Sequence, residues 1–227
     1  MKKIFLLAFI AMACAGNSRA FAQDDEGGSR RPKLADMETI QKVDLYSCSE
    51  AEFDWSQYDE KAGKAMLTKK GLELESKEDG VWAMTFCELD NFNPKSQDFI
   101  IRYVMEPNDI SDDKPFGIVY DVEDEENFRM VIVYKKNFRV CRVVNGHIYK
   151  GRSKLYKPGK EKKMEIDLVR DRGKLYVFIN GLELFDTKSP VIEHPTLGFV
   201  LPTKGKMLCE GIGFKRFASV NSEDSEY

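Results

Sequence analysis

From residue 63 onward the chain keeps switching between short apolar-polar alternations and turn-forming clusters. AMLTKKGLELES carries two such runs around Lys69 to Gly71, and VWAMTFCEL, DFIIRYVME and PFGIVYDV follow. NFRMVIVYK, FRVCRVV, HIYKG, KKMEIDLVR, KLYVFI, LELF, TLGFVL and MLCEGIGFKRF complete the series. Successive strand side chains point to opposite faces, so this period of two predicts half-buried strands. In KMEIDLVR it places Met164, Ile166 and Leu168 in a core and Glu165 and Asp167 in water. The pairs Asn145-Gly146 and Asn180-Gly181 predict tight hairpins, because both residue types tolerate the positive φ such turns require. Residues 34–43 hold at most one short turn of helix, and no long helix is available as a crossover for a parallel sheet. Short strands punctuated every ~8–12 residues predict an all-β, antiparallel β-sandwich of the jelly-roll kind.

The two ends lack this pattern. MKK, the apolar run IFLLAFIAMACA and the small residues Ala20 and Ala22 have the form of a secretory signal peptide spanning 1–22. The apolar run is shorter than the ~20 residues a membrane span needs. Ala-Met-Ala-Cys offers the alternative of a lipoprotein anchored through Cys14. Either reading sends the chain out of the cytoplasm, as a secreted or periplasmic protein. Residues 23–42 read as a flexible leader, 43–218 as the sandwich domain and 219–227 as an acidic tail.

Charge narrows the partners. The chain holds 35 Lys and Arg against 38 Asp and Glu, and removing residues 1–22 leaves 32 against 38. An acidic balance lacks the basic footprint that nucleic acid requires. Cys48, Cys87, Cys141 and Cys209 remain after processing, which permits three disulfide pairings or four thiols packed as small apolar groups. With only His147 and His194 available, and no Cys-x-x-Cys, zinc is not indicated.

Four stretches carry a resemblance. FGIVYDVEDEENFRMVIVY is similar to the "G-apolar-apolar … d-x-x-N-aromatic" unit of laminin G-like domains. FRVCRVVNG resembles the strand that follows it, and KMEIDLVRDRGKLYVFINGLELF the family's hairpin; EGIGFKRF resembles its last strand. Across residues 81–217 the chain thus looks like a concanavalin A-like jelly roll of the laminin G-like branch. The resemblance implies a carbohydrate-binding module, with a protein partner in an envelope assembly as an alternative.

Asp121, Glu123, Asp124, Glu125 and Glu126 lie within six positions, ahead of Asn127. The simplest expectation is a hairpin turn with solvated charges. Asp121, Glu123, Asp124 and Asn127 are also candidate calcium ligands, since hard cations take several oxygens. Glu165-Ile166-Asp167 matches two positions of the jelly-roll glucanase motif Glu-apolar-Asp-apolar-(x)-x-Glu, but Arg170 or Asp171 stands where the proton donor belongs. No catalytic residue is therefore assigned, and a glycoside hydrolase or lyase is the enzymatic alternative. Trp82, Tyr120, Tyr134 and Tyr176, in or beside strands, are the carbohydrate-binding candidates, because aromatic faces cover sugar C–H groups.

Overall fold

The computed structural model describes residues 7–8, 40, 42–49, 53–90, 92–95, 97–108, 114–156, 162–188 and 190–217. Most of the signal-like stretch, most of the leader and the acidic tail lie outside the described residues. Among the described residues sixteen strands form: β1 (Leu7–Ala8), β2 (Leu45–Ser47), β3 (Tyr58–Asp59), β4 (Gly63–Thr68), β5 (Gly71–Ser76), β6 (Val81–Glu88), β7 (Asp98–Asn108) and β8 (Phe116–Asp124). They continue with β9 (Asn127–Val133), β10 (Asn137–Val144), β11 (His147–Leu155), β12 (Met164–Asp171), β13 (Lys174–Ile179), β14 (Leu182–Lys188), β15 (Thr196–Leu201) and β16 (Gly205–Phe217). One sheet has seven strands in the order β1-β6-β15-β8-β9-β10-β11. The other has nine, β14-β13-β12-β7-β16-β5-β4-β3, with β2 also paired to β16. Strand pairing is antiparallel in both, as the alternation predicts.

Between the sheets lies the main core, which includes Leu74, Phe99, Ile101, Ile118, Val131, Phe138, Val177 and Phe199. Met164, Ile166 and Leu168 join it from β12. Trp55 packs on Phe199 at 5.6 Å and donates its indole N–H to the Cys48 carbonyl, which fixes the segment ahead of β3. All four of Cys48, Cys87, Cys141 and Cys209 are buried free thiols. Burial pushes the Cys48 thiol up to about 12 and raises the other three as well.

Both sheets also bury apolar groups on their outer faces. Ile40 and Val43 close a single turn, Val43 N donating to the Ile40 carbonyl at 3.2 Å, and cover Ile100, Val169, Tyr176 and Phe178. On the seven-stranded sheet, Val119, Met130, Ile132, Cys141 and Val143 form a second outer cluster, rimmed by Trp82, Phe86 and Tyr134.

This two-sided burial corrects one expectation. Asp167 does not face water: its side chain is fully buried, and Arg102, opposite it on β7, holds both carboxylate oxygens at 2.8 and 3.4 Å. Burial pushes the Asp167 carboxyl above its ordinary 3.8, with the Arg102 hydrogen bond pulling the other way. Arg170 clasps the carbonyls of Pro94, Lys95 and Gln97. The glucanase-like fragment is therefore occupied in holding β12, β7 and the backbone at Pro94, Lys95 and Gln97 together.

The turns follow the sequence chemistry. Asn145-Gly146, Arg172-Gly173 and Asn180-Gly181 all have positive φ at both residues, the requirement of a type I′ hairpin. Gly198 on β15 marks a close approach: a Cβ there would lie 2.0 Å from the Thr85 carbonyl oxygen of β6.

Candidate functional site

The acidic run sits where β8 leaves its ladder. Pairing of β8 with β9 is regular as far as Tyr120–Arg129, breaks, and resumes at Asp124–Asn127. Asp121 adopts φ 53° at the break, a conformation Asp reaches more readily than most residues. Thr196 replaces the missing ladder bonds, its hydroxyl accepting the Val122 amide at 2.6 Å and donating to the Val122 carbonyl at 2.9 Å.

The kink turns Asp121 into an anchor. Its Oδ2 accepts Arg129 Nε at 2.8 Å, and its Oδ1 accepts the backbone amides of Glu193 and His194 at 2.7 and 3.0 Å. Arg129 also reaches the Val191 carbonyl at 3.4 Å. One buried carboxylate thus fastens the 191–195 segment onto the sheet. Charge-assisted bonds of this kind are stronger than neutral ones.

Asp124 and Asn127 are equally committed. Asp124 accepts the Glu126 amide and, through both oxygens, the Asn127 side-chain amide at 2.9 and 3.0 Å. Asn127 Oδ1 accepts the Asn145 amide at 3.0 Å, and the Glu126 carbonyl accepts the Gly146 amide. The tips of the β8–β9 and β10–β11 hairpins are thereby tied together, which gives a physical reason for the Asp-x-x-Asn-aromatic pattern. Only Glu123, Asp124 and Glu126 of the run are well exposed, so the expectation of a wholly solvated turn is corrected at Asp121. Among the described residues no group of three or more His, Cys, Asp or Glu is arranged to hold a metal ion. The oxygens of Asp121, Asp124 and Asn127 are engaged by protein donors, so as they stand these residues do not fit the calcium site sketched from sequence.

What the kink does create is a cleft of about 150 Å³. Asp121, Glu123, Asn127, Arg129, Arg142, Glu193 and His194 line it with polar groups, over a floor that includes Phe128 and Val143. A volume near this size holds one six-membered ring. Along one face of the sheet, Tyr120 stands opposite Arg129, Arg129 opposite Arg142, and Arg142 opposite Tyr149. The row begins at Tyr120, 2% exposed, and ends at Tyr149, 61% exposed. It therefore runs from the core out to the rim. Exposed Arg142 has no hydrogen-bond or ion-pair partner among the described residues, whereas its neighbour Arg129 is held by Asp121.

The four aromatic candidates do not meet. Tyr120 is in the main core and Tyr176 under Ile40 and Val43, each 2% exposed, so neither can offer a ring face to a ligand. Burial also raises the Tyr120 hydroxyl's pKa. Trp82 and Tyr134 are half-buried at the rim of the outer cluster, Trp82 edge-on to Phe128 at 6.5 Å. Tyr149, which alternation alone does not distinguish from the other strand tyrosines, is the accessible ring beside the cleft. Its signal in the sequence is the register set by Asn145-Gly146, which puts it across from Arg142.

This architecture is a two-sheet antiparallel β-sandwich. No protein family's profile and no curated protein matches the chain. Solved structures do. A carbohydrate-binding module, CBM66 from Bacillus subtilis, is similar at 11% identity and a TM-score of 0.52, over 73% of this chain and 94% of the module. The exoplasmic/lumenal domain of VIP36, in a form bound to Ca2+ and mannose, is similar at 11% identity and 0.54, over 75% and 85%. The Crh5 transglycosylase, without ligand, is similar at 11% identity and 0.52, over 84% and 88%. At such identities the likeness is one of fold.

Proposed function

We infer that this protein is a carbohydrate-recognition domain that binds its ligand in the cleft at the kinked end of β8, with the Tyr149 ring alongside. One observation carries the reading: a ring-sized concavity whose donors and acceptors converge from three strands and a pinned segment, beside an exposed aromatic face. Binding sites combine a preformed shape with a few placed polar groups. Asp121 supplies the preformed shape, Arg142, Glu193 and His194 the polar groups, and Tyr149 a surface for sugar C–H groups. A carbohydrate-binding module and a mannose-bound domain among the fold's neighbours support the same ligand class. The N-terminal segment supports export to the envelope or medium, where glycans are met. The laminin G-like patterns around Asn127 and Asn180 support that branch of the superfamily.

This reading does not call on calcium, since Asp121, Asp124 and Asn127 already spend oxygens on Arg129, on backbone amides and on one another. The test is a panel of polysaccharides titrated calorimetrically into the processed protein, with chelator present. Binding is expected, and Arg142→Ala or Tyr149→Ala should weaken it about tenfold or more while leaving the melting temperature near that of the wild type. Silence across the panel at millimolar sugar would end the proposal.

A second reading has one observation of its own: Glu123 and Glu193 share the cleft, and a glycosidase needs two carboxyl groups flanking one bond. New reducing ends released from a bound polysaccharide, and abolished by Glu123→Gln or Glu193→Gln, would establish the enzyme. Bound polysaccharide recovered intact would leave the domain a binder.

A further inference from the structure

The chain's acidic total conceals a one-sided distribution. Between residues 135 and 155 stand seven cations, Lys135, Lys136, Arg139, Arg142, Lys150, Arg152 and Lys154, with no Asp or Glu. Acids outnumber bases in the whole chain. The segment is the β10–β11 hairpin with the turn before it, and β11 is the outermost strand of its sheet, exposed along its entire length.

A bland account exists for part of this. Lysines on an edge strand discourage pairing with another chain. That account covers Lys150 and Lys154 but not Arg139 and Arg142, which lie on β10, an interior strand. Nor does a guard need charges of one sign. Two features of these arginines point to an anion instead. The Nε of Arg139 is buried and has no hydrogen-bond acceptor among the described residues. A buried donor left unmatched is costly, more so on a charged group, which favours an acceptor supplied from outside the protein. On the same face, Arg139 and Lys150 both bear on the Cys141 thiol and oppose the rise that burial imposes on it. On the other face, Arg142 stands unpaired directly across from Tyr149.

An exposed ring next to a free guanidinium matches a pyranose that carries an anionic substituent. The ring covers C–H groups while the guanidinium makes paired bonds to carboxylate or sulfate. Beyond that first sugar, Lys150, Arg152 and Lys154 continue along β11. Glu123 and Glu193 also line the cleft and repel anions there, so the charged groups fall on the hairpin side of it, away from the 191–195 segment.

Building on the carbohydrate reading above, we propose that the ligand is an acidic polysaccharide, gripped by the β10–β11 hairpin as its negative groups run along β11 from the cleft. The experiment compares chains that differ only in charge. Full-length processed protein is titrated with polygalacturonate against its fully methyl-esterified form, and with dextran sulfate against dextran. The first pair tests carboxylate and the second sulfate. Affinity is expected for the charged member of at least one pair, falling linearly with salt on logarithmic axes. Arg142→Gln, Arg139→Gln and Lys154→Gln should each cost about fivefold, the amount for one cation at an anionic surface. Lys206→Gln, on the other sheet, should cost nothing. Equal binding of charged and neutral members would overturn the proposal and leave the carbohydrate reading standing. Loss of all binding, including to neutral glycans from the wider panel, would remove both. Polyglutamate or single-stranded DNA displacing the polysaccharide at equal charge concentration would also overturn it, because the hairpin would then read charge without sugar.

Discussion

Asp167 shows how far one residue's surroundings decide its meaning. Its neighbours in sequence suggest half of a catalytic motif, yet the side chain is sealed against Arg102 on the outer face of the larger sheet. Removing one partner from such a pair leaves a buried unpaired charge, whereas replacing both with apolar groups of similar size is often neutral. Arg102→Met should therefore lose about 3–5 kcal/mol in urea denaturation, and Arg102→Met with Asp167→Leu should recover most of it. A double variant no better than the single one would refute this account of the pair. The pH dependence follows from the direction of the shift. The folded carboxyl titrates above its ordinary 3.8, so the folded state holds the proton more tightly than the unfolded chain. Its contribution is complete below 3.8 and is lost as pH rises through the folded value. Relative to Asp167→Asn, the wild type should lose stability on going from pH 3 to pH 7.

At the level of elements, most of the fold was legible and the reason is periodicity. Met164, Ile166 and Leu168 fell in the core because a two-residue repeat can bury only one row on each face. The Asn-Gly hairpins formed because their backbone requirement is local. The outer face of each sheet was not legible: Tyr176 looks solvent-facing from alternation, and Ile40 and Val43, more than a hundred residues away, pack in the cluster that buries it. Asp121 was hidden similarly, since its three partners come from β9 and the 191–195 segment. Close strand approach is a further long-range demand. Gly198→Ala should cost about 3 kcal/mol, the upper end for forcing atoms into a packed site. For a domain of this size that lowers the melting temperature by roughly 6–12 °C, readable by calorimetry. An unchanged melting temperature would mean that β15 and β6 can move apart.

For the whole molecule, net charge proved a poor guide to surface charge. Thirty-eight acids against 35 bases argue against polyanion partners only if they are mixed, and the β10–β11 hairpin keeps its cations to itself. At pH 7 the protein carries a formal charge of −3, yet it should bind a sulfonate resin at low salt through that hairpin. Arg139→Gln, Arg142→Gln and Lys154→Gln combined should abolish retention; flow-through of the wild type would contradict the segregation.

The bond from the Asn145 amide to Asn127, with that from Gly146 to Glu126, has a consequence for motion. Hairpin tips normally fray and trade their amide protons with solvent in step with local opening. Here each tip is stitched to its neighbour, so neither can open without the other. In deuterated water those two protons should persist nearly as long as ones deep in the ladder, and the four strands β8 to β11 should breathe as a single plate.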